Sequence, residues 1–254
     1  MRSVSEVVGK KENSNGKTGV VWVKTVGTNQ RGETVLEYYR WVMVHKQDPS
    51  TPTGAADRPA MPKEVVPADL VVPSNLDLTG YEDWPSGGSA YFEDYEAGEK
   101  IDHVDGMTIE ESEHATATRL YQNTAKVHFD AVQTKATRFG RRLMYGGHVI
   151  SIARSLSFNG MEKVLGILAW NGGAHANPTF AGDTIYAYSE ILDKADLPGR
   201  PDCGALRVRL VGLKDVRPTE AGFPLKVSKD GRDVYHEDVV LDLDYWLLVP
   251  RRER

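Results

Sequence analysis

The stretch LYQNTAKVHFDAV, Leu120 to Val132, places an amide, Asn123, five residues before His128 and a carboxylate, Asp130, two residues after it. Histidine titrates near neutral pH and can serve as base or acid. An amide exchanges no proton usefully, but it can orient a water molecule or hold an imidazole in one tautomer. The trio therefore suits a site in which Asn123 positions water, His128 moves the proton and Asp130 is available as a second acid. Asn123 also fits a helix C-cap, which asparagine commonly provides, and Asp130 a plain loop acid. Further on, Gly146 and Gly147 stand near the start or in the first turn of an expected helix. Helix N-termini present free N–H groups and a positive dipole end, and glycine admits close approach of a ligand. The same pair would also permit tight helix packing. Arg138, Arg141 and Arg142 crowd the stretch before that helix, and Lys126 lies beside His128. Arginine suits phosphates and carboxylates through bidentate hydrogen bonds, and at least one of the three belongs to a solvated basic face.

These side chains need elements to hold them. TIEESEHATATRLYQN reads as a helix opened by a capping box, Thr108 with Glu111. RFGRRLMYGGHVISIARSLSFNGM reads as a longer helix with Ile150, Ala153 and Leu156 on one face. GILAWNGGAHANPTFAGDTIYAYSEILDKA then gives strands separated by Gly-Gly and Pro turns. A helix followed by antiparallel strands predicts an α+β fold with the sheet wrapped on the helix.

The strands repeat. SEVV at Ser5 matches SEIL at Ser189, GVVWVKTVG from Gly19 matches GALRVRLVG from Gly204, and VLEYYRWVMV from Val35 matches VLDLDYWLLV from Val240. Three blocks in one order predict two copies of one unit. The stretch Tyr91–Asp183, which precedes the second copy, has no counterpart ahead of the first. The first copy is thus expected to lack its front part. Seven of the thirteen prolines fall between Gln47 and Ala90, which marks a linker. The expected division is 1–46 for the back strands of the first copy, 47–90 for the linker and 91–254 for the complete copy.

The layout YFEDYEAGE, TIEE, NTAKVHFD, RFGRRLMYGGHVISIARSL and NPTFAGDTI resembles the MaoC-like dehydratases of the hotdog fold. That family reads G-D-x-N-P-(apolar)-H-x-D before its central helix. Here Asn123 stands at the catalytic aspartate, Val127 at the apolar position, His128 at the catalytic histidine and Asp130 at the following acid. Ala125 and Lys126 replace the usual Asn-Pro. Within the family, GEKIDHVDG, ATRLYQNTAKVHF, FAGDTIYAYSEIL and GKTGVVWVKTVGTNQ are similar to the mesaconyl-CoA hydratase group, over nearly the whole chain. The resemblance implies a double hotdog with a truncated N-terminal copy. It also implies a hydro-lyase that hydrates an enoyl-CoA thioester, with Gly146 supplying the N–H that polarises the thioester carbonyl. Arg138, Arg141, Arg142, Lys126 and Asp130 become candidate substrate-binding residues. No cofactor is implied beyond the CoA of the substrate. A hydratase or thioesterase for another acyl-CoA, or an inactive truncated fragment, is the competing expectation.

Composition bounds the rest. The chain has 254 residues, 40% apolar and 26% charged, with net charge −5, which gives no electrostatic reason to expect nucleic acid. Cys203 is the single cysteine, which excludes intrachain disulfides and cysteine zinc sites. His103, His114, His148 and His175 fit no common ligand spacing, so no metal is expected. The N-terminus lacks a signal-peptide core, and Val149–Trp170 is broken by Arg154, Asn159, Glu162 and Lys163. The expectation is a cytoplasmic protein without membrane partners, self-associating as a homo-oligomer through exposed sheet faces and edges.

Overall fold

The computed structural model describes residues 1–82, 84–219 and 223–252. The chain forms two compact units, Met1–Pro62 and Lys63–Arg254, so the division falls inside the proline-rich stretch.

The first unit is an antiparallel sheet of β1 (Arg2–Glu12), β2 (Thr18–Thr28), β3 (Thr34–His45) and the two-residue β4 (Ala56–Asp57), in the order β3-β2-β1-β4. Asn29 closes the turn between β2 and β3 by accepting from the amides of Arg31 and Glu33. β3 is an edge strand, and Val35, Leu36, Trp41 and Met43 are all exposed on it.

The second unit has β5 (Lys100–Thr108), α1 (Glu111–Leu120), α2 (Ala131–Thr134), α3 (Gly146–Leu156), β6 (Gly166–His175), β7 (Thr184–Leu197), β8 (Arg200–Lys214), the hairpin β9 (Lys226–Lys229) and β10 (Arg232–Tyr235), and β11 (Val239–Pro250). Five of its strands form an antiparallel sheet in the order β5-β7-β8-β11-β6. α3 lies on that sheet, the helix-and-sheet arrangement of a hotdog.

The repeat reappears as pairing register. Gly19 faces Val44 across β2–β3, and Gly204 faces Val249 across β8–β11. Glu6 faces Lys24 across β1–β2, and Glu190 faces Arg209 across β7–β8. A slip of one residue would send every side chain to the opposite face, so this agreement is structural rather than compositional.

α3 is shorter than the sequence predicts. It starts at Gly146, and the preceding residues from Arg138 are not helical. Its buried stripe is Val149, Ile152, Ala153 and Leu156, with Ile150 only packed at the edge of the core. That i, i+3, i+4, i+7 spacing seats α3 on β7 and β8, in one core with Ile185 and Ile191 of β7, Leu206, Val208 and Leu210 of β8 and Leu243 and Leu247 of β11. Burying each large aliphatic side chain stabilises the unit by about 1.5–3 kcal/mol. The other face of the same strands is covered too. Ala205, Trp246 and Leu248 pack with Leu70 and Leu78 from the segment that leads into the unit. There the Trp246 indole N–H donates to the carbonyl of Val65 at 2.9 Å. Coverage on both faces explains why β8 and β11 read as nearly continuous apolar runs.

The capping box expected at Thr108 is absent. Thr108 is the last residue of β5, and its hydroxyl pairs with that of Thr184 at 2.8 Å, so α1 begins at Glu111 with no side-chain cap.

His103 is fully buried and fully paired. Its Nδ1–H donates to the Asn159 carbonyl at 2.7 Å, and its Nε2 lies 2.8 Å from the Ser189 hydroxyl, which donates to it. Burial pushes its pKa down to about 4. A histidine depressed in the folded state binds its proton more readily when unfolded. Its contribution is therefore complete above pH 6.5 and is lost as pH falls toward 4. Urea unfolding of wild type should lose about 1.4 kcal/mol per pH unit across that window from this group alone. His103→Gln should flatten the slope by that amount. An unchanged slope in the variant would contradict the assignment.

Candidate active site

α1 ends in a Schellman motif. The Asn123 N–H donates to the Thr118 carbonyl and the Gln122 N–H to that of Arg119, both at 3.0 Å. The left-handed residue of the motif is Gln122, with φ of 51°, so Asn123 is one residue past the C-cap role that its type suggests. Asn123 instead accepts the Ala125 N–H on Oδ1 at 2.8 Å, which turns the chain into a 3₁₀ turn at Lys126–His128. Its Nδ2 is left as the donor end. Among the described residues, no hydrogen bond joins Asn123 to His128. Asp130 caps α2 by accepting from the amides of Val132 and Gln133.

His128 is half-buried, and its Nδ1 lies 3.0 Å from the Leu143 carbonyl. A carbonyl only accepts, so Nδ1 carries the proton and Nε2 keeps its lone pair. The same partner is tied a second time, because the Leu143 N–H donates to the Val127 carbonyl at 3.0 Å. The His128 ring meets Tyr145 at 5.8 Å between centroids and His114 at 6.5 Å, both edge to face.

The approach to α3 is pinned at consecutive amides. Leu143 N–H goes to Val127, Met144 N–H to the Thr179 carbonyl at 2.9 Å, and Tyr145 N–H to Nε2 of His114 at 3.0 Å. Gly146 and Gly147 follow in the first turn, where helix geometry gives their amides no intrahelical acceptor. A Cβ on Gly146 would stand 2.7 Å from both Cε1 and Nε2 of His175, so the glycine makes room for that ring. His148 lies in the same turn. Its Nε2 is buried with no hydrogen-bond partner among the described residues, and with Tyr121 it lines a cavity of about 390 Å³ between α1 and α3.

The remaining candidates fall around this centre. Lys126 is exposed on the His128 turn. Arg142 is ion-paired with Glu111 at the start of α1. Arg138 and Arg141 are exposed and stack on Phe139 and Phe180, with guanidinium carbons 4.5 and 3.9 Å from the ring centroids. His114, His175 and Tyr145 join the centre although the motif did not mark them. His114 shares the buried stripe of α1 with Ala117 and Thr118, and a histidine at that helical spacing was the available signal.

The model of the mesaconyl-CoA hydratase family matches residues 1–222 of this chain. The chain belongs to that family. A β-methylmalyl-CoA dehydratase from Chloroflexus aurantiacus is 54% identical over 99% of this chain and 70% of its own length. A mesaconyl-CoA hydratase from Cereibacter sphaeroides is 56% identical, with the same coverage of 99% and 70%. Among solved structures, a MaoC domain protein from Chloroflexus aurantiacus superposes with a TM-score of 0.90 at 54% identity, over 98% of this chain and 70% of that one. A double-hotdog protein from Mycobacterium tuberculosis gives 0.65 at 24% identity, over 97% and 68%, which supports the fold alone. The hotdog expectation is thus borne out, and the matching strand registers fit two copies of one unit. No helix among the described residues is long and apolar enough to cross a membrane.

Proposed function

We propose that this member of the mesaconyl-CoA hydratase family catalyses the reversible hydration of mesaconyl-CoA to β-methylmalyl-CoA. The carrying observation is the fixed tautomer of His128. It leaves an Nε2 lone pair on a ring packed against Tyr145, the N-cap of a helix whose first amides have no intrahelical acceptor. The two curated relatives carry names for the two directions of this one reaction.

The Asn123 amide orients a water molecule, and Nε2 of His128 takes one of its protons as the oxygen bonds to Cβ. The electron pair moves onto the thioester oxygen, which the Gly146 N–H holds with the positive end of α3 behind it. Cα then receives the proton from the His128 imidazolium, which restores the base and places H and OH across the former double bond. This route uses no group beyond the chain and the CoA of the substrate. Arg138 and Arg141 are the candidates for the CoA phosphates, since Arg142 already neutralises Glu111. Lys126 is the candidate for the free carboxylate, and Asp130 serves as the cap of α2. The exposed β3 edge supports self-association in solution.

The test is loss of enoyl-thioester absorbance when the purified chain is added to mesaconyl-CoA, with crotonyl-CoA, which lacks the carboxylate, in parallel. Turnover that favours mesaconyl-CoA is expected. Inert protein, or preference for crotonyl-CoA, would sink the reading. In the same assay Asn123→Asp should not raise the rate, because the amide is the water-orienting donor. A large rise would mean that the amide is a defect.

A further inference from the structure

The start of α3 is held in an unusual way. A helix usually begins with Ser, Thr, Asn or Asp, whose side chain accepts from the second or third helical amide. Here the N-cap is Tyr145, which makes no such bond, and its ring lies over Gly147 instead. A conventional cap would bond an amide of the Gly147–His148 pair, next to the donor that the reaction needs. Something else must fix the helix start, and the fixing occurs upstream, at the amides of residues 143 to 145. Two of those three anchors are backbone carbonyls, of Val127 and Thr179. The third is a side chain, Nε2 of His114.

His114 is suited to that task. It is 1% exposed, and burial, with His128 and His148 nearby, pushes its pKa down to about 4, so it stays neutral across the physiological range. The Tyr145 N–H is a donor, so Nε2 is the unprotonated nitrogen. The same ring lies edge to face against His128. One imidazole therefore touches both halves of the proposed machinery.

We propose that His114 is a positioning residue whose Nε2, through the Tyr145 amide, fixes where α3 begins and so sets the Gly146 N–H relative to the His128 ring. The kinetic consequence rests on the hydratase reading; the structural one does not.

The experiment compares His114→Ala and His114→Gln in the full chain, reading kcat and KM on mesaconyl-CoA and hydrogen exchange at the Tyr145 amide. Gln places an acceptor oxygen where Nε2 stands, whereas Ala removes it. The Ala variant should lose kcat by on the order of 10²-fold, the scale of a small misplacement at a reacting centre, with KM changed by less than about threefold. Its Tyr145 amide should exchange faster than in wild type. Gln should restore amide protection and most of kcat. Equal losses in both variants, or an Ala variant with wild-type protection of Tyr145, would overturn the proposal. If wild type does not turn over mesaconyl-CoA, the function falls separately, and Tyr145 protection still decides whether His114 holds the helix.

Discussion

Replacing His128 by alanine should lower kcat on mesaconyl-CoA by about 10²- to 10⁴-fold, the range that a positioned general base contributes. The fold should survive. The substitution removes one hydrogen bond, Nδ1 to the Leu143 carbonyl, worth about 1 kcal/mol, while the backbone bond from Leu143 N–H to Val127 stays. A second variant separates the base from the anchor. In His128→Asn the amide nitrogen can stand where Nδ1 does and still donate to Leu143, but no lone pair remains at the Nε2 position. If His128 only ties the turn to residue 143, Asn should recover the activity lost in Ala. If it is the base, Asn should be as inactive as Ala, yet melt close to wild type. Absorbance progress curves and thermal melts of the three proteins decide. Activity in the Asn variant within tenfold of wild type would remove His128 from the chemistry.

What the sequence made legible, and what it hid, follows from where the information sits. The strands were readable because register is written in local pattern: the Gly19 and Gly204 blocks carry the same spacing and reach the same partners. His128 and Gly146 were marked only by their place in a motif, and the structure brings both to the approach to α3. The errors arose where a distant residue decides. Thr108 and Glu111 have the spacing of a capping box, but the Thr108 hydroxyl is claimed by Thr184 across the ladder. The run before Gly146 is rich in Arg, Leu and Met, all good helix formers, yet its amides are held by Val127, Thr179 and His114, each on another segment. His114 itself is 31 residues from the amide it anchors, and its place on the buried stripe of α1 marks it as a core histidine without naming that partner. Asn123 is the subtler case. Its residue type suited a C-cap, but the motif that ends α1 puts Gln122 in the left-handed position. The Asn123 side chain is thereby released to shape the turn that carries His128.

Gly146→Ala should lower kcat by on the order of 10²-fold while leaving the melting temperature near that of wild type. Gly146 needs no special backbone angle, since it adopts ordinary helical geometry, and alanine is the better helix former by about 1 kcal/mol. The cost is space. The new Cβ would stand 2.7 Å from two atoms of the His175 ring, closer than side chains approach one another, so the ring must turn or the helix start must move. A turned ring would compete with a thioester oxygen for space beside the amide. Moving the helix start displaces the amide itself. Either way the loss should fall on the step in which charge builds on that oxygen, and therefore on kcat. The double variant Gly146→Ala/His175→Ala tells the two routes apart. If the collision with His175 is the whole effect, the double variant should be no slower than His175→Ala alone. If the methyl group blocks the thioester directly, it should stay as slow as Gly146→Ala or slower. Wild-type kcat in Gly146→Ala would place the oxyanion donor elsewhere and reduce this glycine to an accommodation for His175.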